Sequence, residues 1–171
     1  MKRLTILRHA KSDWGDPGLD DFDRPLNERG RKAARRVGEE LKRRKIAFDQ
    51  VIASPAVRVR QTLERLVDGY GRDLDVRFAP DLYLAGSGDL LTMVQRLPDE
   101  LERPLIVGHN PGLEMLVHSL AREDDRGLRA KVAGKFPTGA AAVIDFGANR
   151  WSEVRPGTGM IAELILPREL D

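Results

Sequence analysis

Apolar residues along this chain follow two alternating patterns. Short runs rich in β-branched residues read as strands: Arg3 to Leu7, Gln50 to Ala53, Asp75 to Ala79 and Leu105 to Val107. Between them, apolar positions recur at helical spacing. Ala34, Val37 and Leu41 lie on one face of a helix between Pro25 and Arg44, with Asn27 placed to cap it. Val59, Leu63, Leu66, Val67 and Tyr70 form the stripe of a second helix, which Ser54 can cap, with Pro55 at its first position and Gly69 and Gly71 at its end. Leu90, Val94 and Leu97 mark a third helix from Ser87. Leu113, Leu116, Val117 and Leu120 mark a fourth, from Pro111 to about Arg122.

The tail changes character. Ala140 to Phe146, Trp151 to Val154 and Met160 to Leu166 read as consecutive strands joined by Gly-Ala-Asn and Pro-Gly-Thr-Gly turns. Strand and helix signals that alternate and then give way to a β-rich end predict an α/β fold. The expected architecture is three-layer α/β/α, a mostly parallel central sheet with helices on both faces and antiparallel pairing at one edge, in one domain spanning residues 1–171. Two segments stand outside this plan. Lys11 to Asp23 is polar and rich in Gly, Asp and Pro, and should lie over the strand ends; Arg122 to Pro137 carries no assignable pattern.

Composition narrows the chemistry. With no cysteine, disulfides and thiolate metal sites are excluded, and three dispersed histidines make a zinc site an unfavoured expectation. The net charge is +2 with a pI of about 9.1. Arginines nearly balanced by acids do not form the one-sided basic stripe of a nucleic-acid binder. The run Lys42-Arg43-Arg44-Lys45 reads as a solvated helix end that complements the helix dipole. No apolar run is long enough to span a membrane, and the segment after the basic start stops at Arg8, too short for a signal peptide. The cytoplasm is therefore the expected compartment, with neither nucleic acid nor membrane as a partner.

Against that background two of the three histidines stand out, because each ends a predicted strand: His9 in Leu7-Arg8-His9-Ala10, and His109 in Val107-Gly108-His109-Asn110-Pro111. Arg58 follows a third strand end in Ala53-Ser54-Pro55-Ala56-Val57-Arg58. Open α/β sheets bind ligands at the carboxyl ends of their strands. Two imidazoles and two guanidiniums converging there could surround one phosphoryl group. A neutral imidazole is a competent nucleophile toward phosphorus. Arginine offers fixed, forked donors to the three phosphoryl oxygens, where charge spreads in the transition state. A protonated His109 would add another donor, and helices opening after Ser54 and His109 would point amide-rich ends at the anion. His118, inside a predicted helix, reads as an ordinary packed or surface histidine.

These segments together resemble the histidine phosphatase superfamily, which shares the phosphoglycerate-mutase-like fold. Leu7-Arg8-His9-Ala10 is similar to its Arg-His-Gly signature, with Ala10 in place of the usual glycine. Asp23-Arg24-Pro25-Leu26-Asn27-Glu28-Arg29-Gly30 resembles the segment that follows in the SixA branch of phosphohistidine phosphatases. Ser54 to Thr62 is similar to the second-arginine motif, and Val107 to Pro111 to the second-histidine motif. The resemblance implies a cofactor-independent phosphatase, and because arginines supply the positive charge a magnesium ion would bring, no metal is expected to be needed. In it His9 is the phosphorylated nucleophile, and Arg8, Arg58 and His109 complete the phosphate pocket. Arg24 belongs to a matched segment and is a further binding candidate, or simply a partner of Asp21 or Asp23. Arg60 falls where the motif is variable and inherits no role.

Mutase-type members place a carboxylic acid beyond the third strand to protonate an alkoxide leaving group. Here Pro80 to Ala85 offers Asp81 as the candidate acid, with Leu84 the residue that could occupy the acid's position, and Asp13 and Asp16 as further candidates on the early loop. Only fifty residues separate Arg58 from His109, too few for a large lid. Both features favour phosphohistidine on a signalling or phosphotransfer protein as substrate. A phosphomonoesterase for small phosphate esters is the alternative, and a non-catalytic phosphoprotein-binding module the alternative of another class.

Overall fold

The computed structural model describes residues 1–170. Four parallel strands form one side of a six-stranded sheet: β1 (Lys2–Arg8), β2 (Gln50–Ala53), β3 (Val76–Phe78) and β4 (Pro104–Gly108). Strands β5 (Ala141–Phe146) and β6 (Gly159–Ile165) complete it, β5 antiparallel to β1 and β6 antiparallel to β5, in the order β3-β2-β4-β1-β5-β6. The central strands alternate between two cores. Leu4, Ile6, Ile106, Ala142 and Ile144 face one side, and Leu7, Leu105, Val107, Ala141 and Val143 the other. A sheet apolar on both faces must be covered on both. Helices α1 (Glu28–Arg43) and α2 (Val57–Tyr70) cover one face; α3 (Ser87–Gln95), α4 (Gly112–Leu120) and α5 (Leu128–Gly134) cover the other. This is the expected three-layer α/β/α architecture.

Local signals account for most boundaries. The Asn27 side chain accepts a hydrogen bond from the Gly30 amide at 2.8 Å and caps α1. The α2 helix ends at Gly71 in the left-handed region, φ 74°. Gly38 and Gly69 let α1 and α2 touch backbone to backbone. A Cβ at Gly38 would sit 2.1 Å from the Leu66 carbonyl oxygen, and one at Gly69 2.0 Å from that of Arg35. Gly69 thus serves the crossing rather than the helix end.

Three expectations need correction. Trp151 to Val154 is not a strand: Trp151–Glu153 is a 3₁₀ turn. The Trp151 amide donates to the Asp99 carboxylate at 3.0 Å and its indole N–H to the Leu101 carbonyl at 2.7 Å, so side-chain and loop acceptors replace a strand ladder. Ser54 does not cap α2, which opens at Val57 after Ala56; the Ser54 hydroxyl is engaged elsewhere, as described below. The unassigned stretch Arg122 to Pro137 contains α5, a helix with Val132 as its only buried residue and hence almost no stripe to detect. Among the described residues, no helix is long and apolar enough to cross a membrane.

Candidate active site at the carboxyl ends of the parallel strands

Strand register brings the motif residues together. β4 lies between β1 and β2, with Gly108 opposite Arg8 and Val107 opposite Ala53. His9, His109 and Ser54, each one residue beyond its strand, therefore emerge side by side. The imidazole centroids of His9 and His109 are 5.3 Å apart. Arg58, in the first turn of α2, reaches across both rings and is almost fully buried. The pocket is about 480 Å³ and is lined by Arg8, His9, Arg24, Arg58 and His109, with Lys11, Ser12, Trp14 and Asp21 of the early loop at its rim. That loop does lie over the strand ends.

Hydrogen bonds fix the protonation pattern of each ring. His9 Nδ1 is 2.7 Å from the Ala10 carbonyl oxygen, so it carries the proton and donates it. Nε2 is left with its lone pair toward the pocket, where Arg58 Nε donates to it across 3.4 Å. Burial pushes the His9 imidazolium down to about 3, the positive charge of Arg58 and Arg8 and the neighbouring His109 add to this, and the bond to Ala10 opposes it. The ring is neutral at physiological pH.

His109 is held the other way round. Its Nε2 donates to the Ser54 hydroxyl oxygen at 2.8 Å, and its Nδ1 accepts from Arg58 Nη2 at 3.2 Å. Burial first, then the charge of Arg58, lower its value to about 4, against a raising influence from Asp21. Near pH 7 His109 is thus neutral and presents an acceptor; the charged donor foreseen from the sequence requires that a proton be taken up. Arg8 is held by the Phe136 carbonyl oxygen at 3.2 Å, and burial lowers its value from the usual guanidinium range.

Two residues of the site were not singled out from the sequence. The Asp21 carboxylate accepts from Arg24 Nη2 at 2.7 Å, Arg58 Nη2 at 2.9 Å and the Tyr83 hydroxyl at 2.5 Å. Burial would raise this carboxyl, but those three donors outweigh it and hold it well below the usual carboxylate range. Tyr83 also packs its ring edge-on against His109, centroids 5.3 Å apart. Its only signal was being the aromatic residue of the stretch Pro80 to Ala85. For Asp21 the segment Asp20-Asp21-Phe22-Asp23 offers three aspartates with nothing to choose between them. Arg24 lines the pocket and pairs with Asp21, and it also bonds the Ser12 hydroxyl; its guanidinium lies 3.5 Å from the Trp14 ring centroid.

The acid candidates do not join the site. Asp81, in the 3₁₀ turn Pro80–Leu82, lines a separate cavity with Arg77, Asp89 and Thr92. Asp13 and Asp16 accept from the amides of Gly15 and Gly18 and shape their own turns. Leu84, with its backbone at φ 55°, stands at the pocket rim instead. Among the described residues Asp21 is the sole carboxylate lining the pocket, and no cluster of three or more His, Asp or Glu is placed to hold a metal ion. The arrangement can therefore bind a tetrahedral oxyanion and offer it a neutral imidazole nucleophile.

The comparisons with known proteins agree with this geometry. Residues 4–105 match the histidine phosphatase superfamily (branch 1). An uncharacterized protein of Mycobacterium tuberculosis is 36% identical over 164 residues, covering 95% of this chain and all of that protein. The phosphohistidine phosphatase SixA of Escherichia coli is 32% identical over 123 residues, 69% of this chain and 73% of that one. Among solved structures, an Agrobacterium tumefaciens protein provisionally described as phosphohistidine phosphatase SixA superposes with a TM-score of 0.81 at 28% identity, covering 97% of this chain and 98% of that one. The protein histidine phosphatase SixA complexed with tungstate gives a TM-score of 0.78 at 24% identity over 99% of both chains and so attests the fold. Strand-end histidines, a bridging arginine and these similarities lead to one conclusion: the chain belongs to the histidine phosphatase superfamily and within it to the SixA type.

Proposed function

We propose that this protein is a cytoplasmic phosphohistidine phosphatase acting on a histidine-phosphorylated signalling or phosphotransfer protein, through a phosphorylated His9. A phosphoryl group entering the pocket meets the guanidiniums of Arg8 and Arg58, with Arg24 at its edge. His9 Nε2, already deprotonated and facing the pocket, attacks phosphorus as the P–N bond to the substrate imidazole breaks. The electron pair of that bond stays on the departing nitrogen, which takes a proton. Water then attacks the phosphoryl group on His9 Nε2, releasing inorganic phosphate and restoring the neutral ring. Charge spread over the phosphoryl oxygens in both steps is met by preorganised guanidinium donors. His109, once protonated, is a further donor to them.

The observation that carries the choice of substrate is the set of three donors on the Asp21 carboxylate. The pocket's one carboxylate among the described residues is kept anionic by Arg24, Arg58 and Tyr83 and has no proton to give an alkoxide. An alkyl ester needs such an acid; an imidazole leaving group is protonated near neutral pH without one. Likeness to SixA supports the same reading.

The test compares kcat/KM for a histidine-phosphorylated protein, a sugar phosphate and a serine phosphate at neutral pH. Preference for the phosphohistidine by a hundredfold or more is expected. Equal efficiency on the alkyl esters would replace this reading with a small-ester phosphomonoesterase.

A further inference from the structure

A second cavity, of about 670 Å³, adjoins the phosphoryl pocket, and Lys11, Lys135, Pro137 and Thr138 line both. Beyond this shared wall it is flanked by Arg29 and Lys32 of α1 and by Arg168. Lys11, Arg29, Lys32, Lys135 and Arg168 are all exposed. Among the described residues no carboxylate lines this cavity, and Lys11, Arg29, Lys135 and Arg168 form no ion pair. Lys32 has only a 3.5 Å contact with the equally exposed Glu28. In a chain whose net charge is +2, so much unneutralised positive charge in one groove is a local feature. Such a concentration draws in an anionic partner and speeds its encounter.

Two further residues line the phosphoryl pocket but not the basic groove. Trp14, 76% exposed, and Leu84, 56% exposed, stand there as large apolar side chains in solvent. A free oligophosphate would match the basic groove and leave Trp14 and Leu84 unused. A protein surface can match the basic groove and these apolar side chains at once, since aromatic anchors beside charged patches are what protein interfaces use.

We propose that the basic groove docks an acidic patch of the protein substrate next to its phosphohistidine, while the exposed Trp14 and Leu84 at the phosphoryl pocket rest on an apolar patch of the same protein. This rests on the reading above that the substrate is a phosphohistidine protein, and it names the chemistry by which that protein is chosen.

The test uses two synthetic phosphohistidine peptides that differ only in flanking residues, Asp/Glu-rich in one and Ser/Gln-rich in the other. Arg29, Lys32 and Arg168 line the groove and not the phosphoryl pocket, so the variant is Arg29→Gln/Lys32→Gln/Arg168→Gln. At low salt the wild type should turn over the acidic peptide with a kcat/KM roughly tenfold higher, chiefly through KM. In the variant, and in about 0.5 M salt, the preference should shrink to within about twofold. The variant's rate on the neutral peptide should be unchanged, which also verifies its fold.

Equal kcat/KM for the two peptides in the wild type, or a preference that survives in the variant, would overturn the docking surface alone. Inhibition of arylphosphate hydrolysis by tripolyphosphate that the variant relieves, without any peptide preference, would reassign the groove to an oligophosphate. Failure to hydrolyse either peptide, with arylphosphate hydrolysis intact, would remove the phosphohistidine reading itself and this proposal with it.

Discussion

The Ser54 hydroxyl oxygen lies 2.8 Å from His109 Nε2 and thereby decides which nitrogen of that ring faces the pocket. With Nε2 committed to Ser54, Nδ1 is the atom turned toward Arg58 and an incoming anion. Ser54→Ala should release the ring and lower kcat about tenfold, the worth of one buried hydrogen bond, with a smaller effect on KM. Ser54→Thr, which keeps the hydroxyl, should restore part of the rate. ¹⁵N spectra should show mixed His109 tautomers in Ser54→Ala and a single tautomer in the wild type.

A bound oxyanion should change the protonation of His109. The resting value near 4 reflects burial and the charge of Arg58, and an anion beside the ring opposes both. Tungstate binding near pH 7 should therefore take up a proton, read as a buffer-dependent enthalpy in calorimetry. His109→Gln should bind with no net uptake. Buffer-independent enthalpy in the wild type would show that His109 stays neutral throughout.

Asp21 already holds the donors that a phosphoryl group would use. Its Oδ2 is 2.9 Å from Arg58 Nη2, so substrate and product oxyanions enter against a like charge. Asp21→Asn should tighten inhibition by inorganic phosphate several-fold, roughly 1 kcal/mol for removing a nearby solvent-exposed charge. Weaker phosphate inhibition would mean that Asp21 orders Arg58 more than it repels the anion.

Buried neutral histidines also give stability a definite pH dependence. Folded values of about 3 for His9 and about 4 for His109 lie below the unfolded value near 6.5. Between pH 6.5 and 4 the unfolded chain binds protons that the folded chain does not, so stability falls as pH falls. Each histidine contributes a slope approaching about 1.4 kcal/mol per pH unit. Asp21, held anionic in the folded chain, adds to the slope only toward the lower end of this window, where the unfolded carboxyl begins to take up a proton. Urea midpoints across the window should show the slope, and His9→Gln should lose close to half of it. Activity should not collapse at pH 6.5, since His9 stays neutral well below that.

What could be read from the sequence follows physical locality. His9, Arg58 and His109 were legible because each follows a strand, and a parallel sheet delivers strand ends to one place whatever the loops do. The stripes of α1 to α4 were legible because buried positions such as Leu63, Leu66, Leu116 and Leu120 recur at helical spacing. The ligands of Asp21 were hidden because Arg58 and Tyr83 reach it from positions 37 and 62 residues away, by loop conformation rather than by any period. Asp81 looked suitable by its place after β3, yet the turn sends it to a different cavity. Trp151 misled because a large apolar residue in a short segment between turn signals looks the same whether a ladder or a single 3₁₀ turn holds it.

The central claim is that His9 carries the phosphoryl group during turnover. Substrate labelled in its phosphoryl group should be mixed with enzyme and quenched in alkali within milliseconds, where phosphohistidine persists, and the digested peptides mapped. The expected result is label on His9 Nε2 that disappears on a longer chase as phosphate forms. A folded His9→Ala protein should carry no label and lose activity by several orders of magnitude, as loss of a nucleophile does. Turnover with no label on His9, or near-normal turnover in folded His9→Ala, would contradict the account.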